Sequence, residues 1–199
     1  GLFNGQYTAL TQVTYTPSDK VGIALTYGRY YAPEPAATIN VTGNKGSQFA
    51  KFPFGGSTAT SSDSLGLQFT YKLNDKLTLG GWGSYFNANA EGSPSVSSVS
   101  GSSGADADIW SWAVRASLKD WGKKGSQLSF VFGMPPKVTD NDIFEREDKD
   151  TSLHFELSYR YPLNDRIFIT PGFLVITNPE HNADNDTTWV GLMRTSFKF

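Results

Sequence analysis

The sequence has no cysteine and no run of about eighteen or more apolar residues. The absence of cysteine excludes the disulfide framework on which many small secreted domains depend. The absence of a long apolar run excludes a helix of the length that crosses a bilayer. A mean hydropathy of −0.35 is usual for a soluble protein. It does not exclude a membrane barrel, because the strands of such a barrel are apolar only at alternate positions.

A strong charge of one sign is missing as well. The formal net charge is −2, and lysine and arginine form no cluster with interleaved aromatic residues. We therefore expect no nucleic-acid partner, since a polyanion would need a basic surface. The length of 199 residues is enough for one ordinary domain.

Histidine is scarce, because only His154 and His181 occur. A hydrolase with a Ser-His-Asp triad would need one of them, and Ser152 shares a predicted strand face with His154. Residues two positions apart on a strand are separated by about 7 Å, which is too far for a hydrogen bond. We predict that the chain is not an enzyme and has no catalytic residues and no cofactor.

The loops at 140–150 and 180–186 are acidic, and His181 lies among their carboxylates. Such a group could bind a cation. However, Asp140 and Asp142 lack the glycine and terminal glutamate spacing of an EF-hand loop. We interpret these residues as solvated loop charges and predict no metal site.

The sequence does contain many stretches in which apolar and polar residues alternate. In 64–73, Leu65, Leu67, Phe69 and Tyr71 alternate with small or polar residues, and a period of two indicates a half-buried strand. Three glycines in the fourth predicted strand indicate a bend or bulge there. The pattern predicts nine strands, at 5–16, 20–31, 64–73, 76–88, 108–119, 126–135, 151–162, 165–178 and 187–199.

Short and long connections alternate between these strands. Three short turns, at 15–21, 71–77 and 161–167, share a tyrosine, a Ser/Asn-Asp pair and a basic residue, and Asn and Asp favour tight turns. The long connections are at 32–63, 89–107, 136–150 and 179–186. This alternation predicts an all-β fold, an antiparallel up-and-down transmembrane β-barrel.

The number of predicted strands is odd, whereas bacterial single-chain barrels have an even number. Unpaired strand edges are very costly in lipid. We therefore expect the native chain to contain an odd number of further strands before Gly1.

The alternation also assigns side chains to the two faces of the barrel. Charged side chains avoid lipid, because each costs roughly 2–4 kcal/mol at mid-depth. Aromatic residues beside the short turns match the girdles at a membrane–water boundary. We predict that the pore is lined by Lys72, Arg115, Lys119, His154, Glu156, Arg160, Arg194 and Lys198. The predicted membrane-interface aromatic residues are Tyr15, Tyr71, Trp121 and Tyr161.

The C-terminal segment 169–199, with Pro171-Gly172, Asn178-Pro179, an Asn/Asp-rich loop and a final Phe199, resembles the end of the carbohydrate-selective porins. Within that family it is most similar to the cyanobacterial iron uptake porins. Phe197 and Phe199 resemble the signal that the barrel assembly machinery reads.

The resemblance implies that residues 1–199 are the C-terminal portion of a 16-stranded, homotrimeric porin barrel. It also implies location in the outer membrane lipid of a Gram-negative-type bacterium, here a cyanobacterium. The missing N-terminal strands of the same barrel would then hold the inward loop that constricts the channel. The expected function is passive diffusion of small hydrophilic solutes and inorganic ions, with sugars and iron species among the candidates.

Two other functions fit the alternating strands. A soluble β-sandwich that binds carbohydrate would show the same period of two, and a barrel enzyme would do so as well. Only a porin needs its apolar faces to meet lipid around the whole sheet. Solubility in salt buffer rather than in detergent would separate the sandwich from the porin.

Overall fold

A computed structural model describes residues 5–35, 39–94 and 103–199. They form one antiparallel sheet of nine strands together with a single short α-helix. No helix in these three ranges is long and apolar enough to cross a membrane. The elements are β1 (Tyr7–Ser18), β2 (Val21–Ala32), α1 (Gln48–Lys51), β3 (Thr60–Lys72), β4 (Leu77–Ala90), β5 (Asp106–Lys119), β6 (Gln127–Asn141), β7 (Leu153–Pro162), β8 (Ile167–Thr177) and β9 (Thr188–Phe197).

Each strand pairs with its neighbours in the sequence, so the sheet is an up-and-down meander from β1 to β9. The prediction of an all-β antiparallel fold with nine strands is confirmed. Most strand ends lie within a few residues of the predicted ones. The largest differences are in β3, which begins at Thr60 rather than at residue 64, and in β6, which continues to Asn141 rather than ending at 135.

The short turns are stabilised by the side chains that the sequence repeats. Asn74 Oδ1 accepts hydrogen bonds from the backbone N–H groups of Lys76 and Leu77, at 2.9 and 2.8 Å. Asn164 Oδ1 accepts hydrogen bonds in the same way from the backbone N–H groups of Arg166 and Ile167, where β8 begins. These local bonds close each hairpin without help from distant residues.

Of the predicted bend or bulge at the glycines of β4, the bulge is wrong. Gly80, Gly81 and Gly83 pair with both neighbouring strands in unbroken register. Their lack of a side chain makes room for neighbours instead, since a Cβ on Gly81 would lie 2.8 Å from the ring of Phe69. Register shifts lie instead between β1 and β2, near the short turn, and between β5 and β6, where Pro135 and Pro136 cannot donate ladder hydrogen bonds.

The sheet has two chemically different faces. The apolar face carries Leu65, Leu67 and Phe69 of β3, and cross-strand partners continue it onto the other strands. The polar face carries the alternate residues of β3, such as Gln68 and Thr70. Because cross-strand partners lie on the same face, the register assigns every strand residue to one face or the other.

Residues 39–59, here called the inward loop, fold onto the polar face at the long-loop end of the sheet. Phe54 and Ala50 of this loop are fully buried. They belong to the main buried cluster of the chain, together with alanines of the wall, whose small side chains let the loop approach closely. The strand members of this cluster are Tyr30, Ala32, Ala88, Ala90, Ala107, Ile109 and Val138.

The inward loop lies within the chain, between β2 and β3. The family resemblance implies that the loop that constricts the channel lies before Gly1, and nothing in the described residues tests that implication.

Candidate functional site

The predicted pore-lining residues all fall on strands or strand ends of the polar face. The side chain of Arg115 extends across Gly80, and a Cβ added at Gly80 would lie 2.8 Å from Arg115 Nε. Arg115 Nη2 donates a hydrogen bond to Thr70 Oγ1 at 3.4 Å. Lys119 and Arg160 flank Gln127 from the two neighbouring strands.

The remaining predicted residues fall into two groups. Arg194 is exposed opposite Thr170, and Lys72 and Lys198 lie where β3 and β9 end. His154 and Glu156 lie near the long-loop end of β7, with His154 Nε2 3.6 Å from Glu156 Oε2. The structure therefore brings six basic side chains to the short-turn end of the polar face and places the His–Glu pair apart from them.

The predicted interface aromatic residues all lie at the short-turn end of the sheet. Trp121 packs edge-to-face on Tyr159, with ring centroids 5.5 Å apart, and accepts a hydrogen bond from its hydroxyl group. Tyr161 stacks beside Tyr159. Tyr15 and Tyr71 are exposed on the apolar face.

A second set of aromatic residues lies at the long-loop end of the apolar face. Tyr85 and Trp110 pack with centroids 4.8 Å apart, and the hydroxyl group of Tyr85 donates to Asp108 at 2.6 Å. Tyr27 donates in the same way to Asp63. The sequence analysis missed this set, although the aromatic residues at the far ends of the period-two strands could have indicated it.

Large apolar side chains lie exposed between the two aromatic sets. Leu67 is 57% exposed, Leu25 is 54% exposed and Leu157 is 47% exposed. In a β-sandwich, a second sheet would cover this face. The described residues form one sheet only, so the apolar face is left uncovered over its whole width. A continuous exposed apolar band of this kind marks an interface with lipid or with another protein.

The two residues predicted to form the assembly signal, Phe197 and Phe199, lie at the end of this band. Phe197 pairs with Ile167 on the apolar face and is 62% exposed, and Phe199 extends beyond the end of β9. Neither side chain is buried by the part of the chain that the structure describes.

The inward loop is joined to two loops at the mouth of the sheet, residues 142–152 and 178–187, here called the mouth loops. Asp148 is buried, and its Oδ2 accepts hydrogen bonds from Ser47 Oγ of the inward loop and from the Val138 N–H group, both at 2.7 Å. Ser47 also begins α1, because its Oγ accepts from Ala50 N. Burial raises the pKa of Asp148 to about 6.

His181 forms the second buried junction. Its Nδ1 accepts a hydrogen bond from Ser152 N at 2.8 Å, so its Nε2 carries the proton and donates to Pro136 O at 3.0 Å. Burial lowers the pKa of His181, which keeps the ring neutral. His181 and Asp148 were interpreted from sequence as solvated loop charges. That interpretation is wrong for both, because both are buried and hydrogen-bonded.

Two further contacts hold the inward loop from its other end. Arg146 donates to the backbone carbonyls of Phe52 and Pro53, and its guanidinium lies 4.7 Å from the ring centroid of Phe49. Asn141 also donates to the Pro53 carbonyl. The loop is therefore fixed on the polar face by groups from β6 and from both mouth loops.

A cavity of about 510 Å³ lies on the polar face beneath the inward loop. Thr42 and Lys45 of the loop, the His154–Glu156 pair and the indole of Trp82 line it. Trp82 is 40% exposed on a face that is otherwise mostly small or polar. The sequence analysis missed this residue.

Within residues 5–35, 39–94 and 103–199, no group of three or more His, Asp or Glu side chains is arranged to hold a metal ion.

Acidification should act on the two buried groups in opposite directions. The pKa of Asp148 is raised from 3.8 to about 6. Its contribution to the stability of the docked inward loop is therefore full below pH 3.8 and is lost as the pH rises through about 6. Because the pKa of His181 is lowered from 6.5, its contribution is present above 6.5 and is lost as pH falls. In Asp148→Asn only the second effect remains.

We therefore expect the Asp148→Asn variant to lose amide protection in residues 47–52 between pH of about 7 and about 5, more steeply than the unaltered protein. Hydrogen-exchange mass spectrometry, corrected for the intrinsic exchange rate, measures this. Protection that rises on acidification in the variant would contradict the role given to His181.

Three comparisons with known proteins agree with this geometry. The model of the OprB family, described as carbohydrate-selective porins, matches residues 1–199. An uncharacterized protein of Synechocystis sp. (strain PCC 6803) is 37% identical over the whole chain, which covers 37% of that protein. An uncharacterized protein of Nostoc sp. (strain PCC 7120) is 30% identical, and the chain covers 33% of it. The chain thus spans about a third of the length of these relatives.

The structure is also similar to that of an anion-selective porin from Comamonas acidovorans. The TM-score is 0.57 at 13% identity, over 92% of this chain and 47% of that porin. At this identity the likeness concerns the fold alone, which is that of a porin β-barrel.

Proposed function

Because the chain belongs to the OprB family of carbohydrate-selective porins, we propose that it forms part of the wall of an outer-membrane channel for passive diffusion of small hydrophilic solutes and inorganic ions. The observation that carries the proposal is the contrast between the two faces of a single sheet. One face is an exposed apolar band between two aromatic sets, as lipid requires. The other carries six basic side chains and an inward-folded loop, as a water-filled lumen allows.

The proposed lumen favours hydrophilic solutes for an electrostatic reason. Fixed charges act on passing ions within a Debye length of roughly 8–10 Å at physiological salt. Basic residues on the wall should therefore bias passage towards anions without blocking cations. Sugars and iron species remain candidates for the solute. The family and the fold indicate a channel rather than an enzyme.

The inward loop is the proposed constriction of this part of the channel. Its contacts with the two mouth loops, a buried one between Ser47 and Asp148 and an exposed one between Gln48 and Glu180, would keep it on the lumen side, where it would narrow the space above Trp82. Lys45 of the loop would face the His154–Glu156 pair across the cavity. Solutes would have to pass between this loop and the rest of the barrel wall.

Family membership is also the basis for proposing the barrel portion, the oligomeric state and the location of the protein. We propose that residues 1–199 are the C-terminal portion of one barrel that the missing N-terminal strands of the same chain complete, and that the barrel is a homotrimer in outer-membrane lipid. The identity of the relatives supports a cyanobacterial origin. Phe197 and Phe199 would be read by the barrel assembly machinery, and Tyr15, Tyr71, Trp121 and Tyr161 would lie at the membrane boundary.

Neutralising the basic wall tests the proposal. We expect the joint substitution Arg115→Gln, Arg160→Gln and Arg194→Gln to shift the reversal potential towards cation preference, because the three cations no longer attract anions. None of the three has a carboxylate partner among the residues that the structure describes, so assembly should change little. Planar-bilayer recordings under a salt gradient measure the shift. The absence of any channel in the unaltered protein would contradict the proposed function itself.

A further inference from the structure

The charged residues of the chain are separated along the strand direction. Each strand has a loop half, next to a long connection, and a turn half, next to a short one. Fifteen of the 19 acidic residues lie in loop halves or long connections, and eleven of the 17 basic residues lie in turn halves or beyond the turn ends. The formal charge is therefore −9 on one side and +7 on the other, which together make the −2 of the whole chain.

The acidic residues in the turn halves do not offset the basic ones on the polar face. These acidic residues are Asp19, Asp75, Asp120 and Asp165, and all four lie in the turns themselves. Asp120 is engaged there, since its Oδ1 accepts a hydrogen bond from Gly125 N at 2.6 Å. The basic residues on this half of the polar face are Lys72, Arg115, Lys119, Arg160, Arg194 and Lys198.

Within the described parts of the chain, there are only two ion pairs, Arg29–Asp63 and His154–Glu156. Both lie in loop halves. The basic side chains of the turn half thus keep their full charge, and Arg160 is held over the ring of Phe168, 3.6 Å from its centroid, rather than beside a carboxylate.

The acidic side is concentrated where the inward loop meets the mouth loops. A cavity of about 500 Å³ there is lined by Glu145, Glu147, Asp150, Glu180 and Asp184. Lys149 is the one basic residue among its lining residues within the described ranges. The long-loop mouth is therefore a surface of negative charge.

The two charged regions are far enough apart to act separately. Strands of 10 to 15 residues span about 30–50 Å at roughly 3.3 Å per residue. The Debye length is about 10 Å at 0.1 M salt. Each end therefore holds its own counter-ions, cations at the long-loop mouth and anions at the turn end.

We infer that this chain gives the channel an axial dipole of fixed charge and makes its ion current depend on the direction of the voltage. The inference rests on the proposed channel function. When the long-loop side is positive, cations enter past the acidic mouth and anions enter past the basic end, so both accumulate in the pore and the conductance is high. With the opposite voltage, both are drawn out and the conductance falls.

The test uses the full-length protein, purified in detergent and placed in planar bilayers with KCl. We expect a larger current with the long-loop side positive at about 0.1 M KCl, and equal currents at about 1 M, where the Debye length is about 3 Å. A Gly92→Cys variant can be biotinylated, because a Cβ at Gly92 would meet open space. Adding streptavidin to one chamber then establishes which side the long loops face.

Two charge-neutralised variants separate the two ends. The first carries Glu145→Gln, Glu147→Gln and Asp184→Asn, and the second carries Arg115→Gln, Arg160→Gln and Arg194→Gln. Both should bring the ratio of the two currents towards one. Their reversal potentials should move in opposite directions, towards anions in the first and towards cations in the second.

The outcomes distinguish this inference from the proposed function. Channels with equal currents in both directions at about 0.1 M KCl would overturn the axial dipole and leave the channel function standing. Absence of conductance would overturn the channel function. The salt comparison needs no charge-neutralising substitution, so it decides the inference even where a charge-neutralised variant fails to assemble, as judged by heat-modifiable gel mobility.

Discussion

Replacing Leu157 by arginine should strongly reduce assembly of the protein in a membrane. Leu157 lies in the middle of the apolar band, between Phe130 and Phe173 on the neighbouring strands. An arginine on the lipid face near mid-depth costs roughly 2–4 kcal/mol, and each 1.4 kcal/mol is about a tenfold change in an equilibrium constant. Refolding into bilayers, followed by heat-modifiable gel mobility, measures the assembled fraction.

Ser158→Arg is the matched control for this substitution. Ser158 is the next residue of β7 and pairs with Ser129 and Gly172 on the polar face. An arginine there would join Arg160 in the proposed lumen, so we expect assembly close to that of the unaltered protein. If Ser158→Arg prevented assembly while Leu157→Arg did not, the two faces would be assigned the wrong way round and the proposed pore would be wrong with them.

Substituting Gly46 by valine should release the inward loop from the wall. A Cβ at Gly46 would lie 2.2 Å from the backbone oxygen of Pro136, which is closer than any real contact. Gly46 also has a positive φ of 76°, where a β-branched side chain is strained by about 1–3 kcal/mol. We expect larger and noisier single-channel currents, and faster hydrogen exchange in residues 47–52.

Gly56→Val supplies the comparison within the same loop. A Cβ at Gly56 would meet open space, so this variant should keep the currents and the exchange rates of the unaltered protein. Equal currents in Gly46→Val and the unaltered protein, with the loop shown by exchange to be released, would mean that the inward loop does not constrict the channel.

The sheet could be predicted from the sequence because its determinants are local. In 64–73 apolar and polar side chains alternate. In 71–77 the turn is closed by Asn74, which is part of the same segment. A period of two and an Asx turn are both readable within ten residues. Both aromatic sets lie at the ends of period-two strands, although the sequence analysis predicts only the set beside the short turns.

The inward loop could not be predicted, because its contacts join residues far apart in the sequence. Ser47 reaches Asp148 across 101 positions, and Gln48 reaches Glu180 across 132. The segment 140–150 shows only a run of charges, and nothing in it distinguishes buried Asp148 from exposed Glu145. The environment that raises the pKa of Asp148 exists only after the loops have come together.

The ends of β3 and β6 were also misplaced, for a related reason. Residues 60–63 are polar on both faces, so they show no alternation, yet Thr60 and Ser62 are buried on the polar face, at the end of the sheet where the inward loop lies. In β6, Pro135 and Pro136 indicate the end of a strand in most sequences. Here a register shift beside them allows pairing to resume at Lys137 and Val138.

The meander order has a consequence for how the protein folds. Every strand pairs with its neighbour in sequence, so hairpins can form one after another, each on a time scale of about 1–10 μs in isolation. The inward loop follows a different order, because its partners Pro136, Asp148 and Glu180 must be in place before it can dock. Docking of the inward loop would therefore come after β6 and both mouth loops have formed, and a sheet that ends before β6 would leave the proposed constriction open.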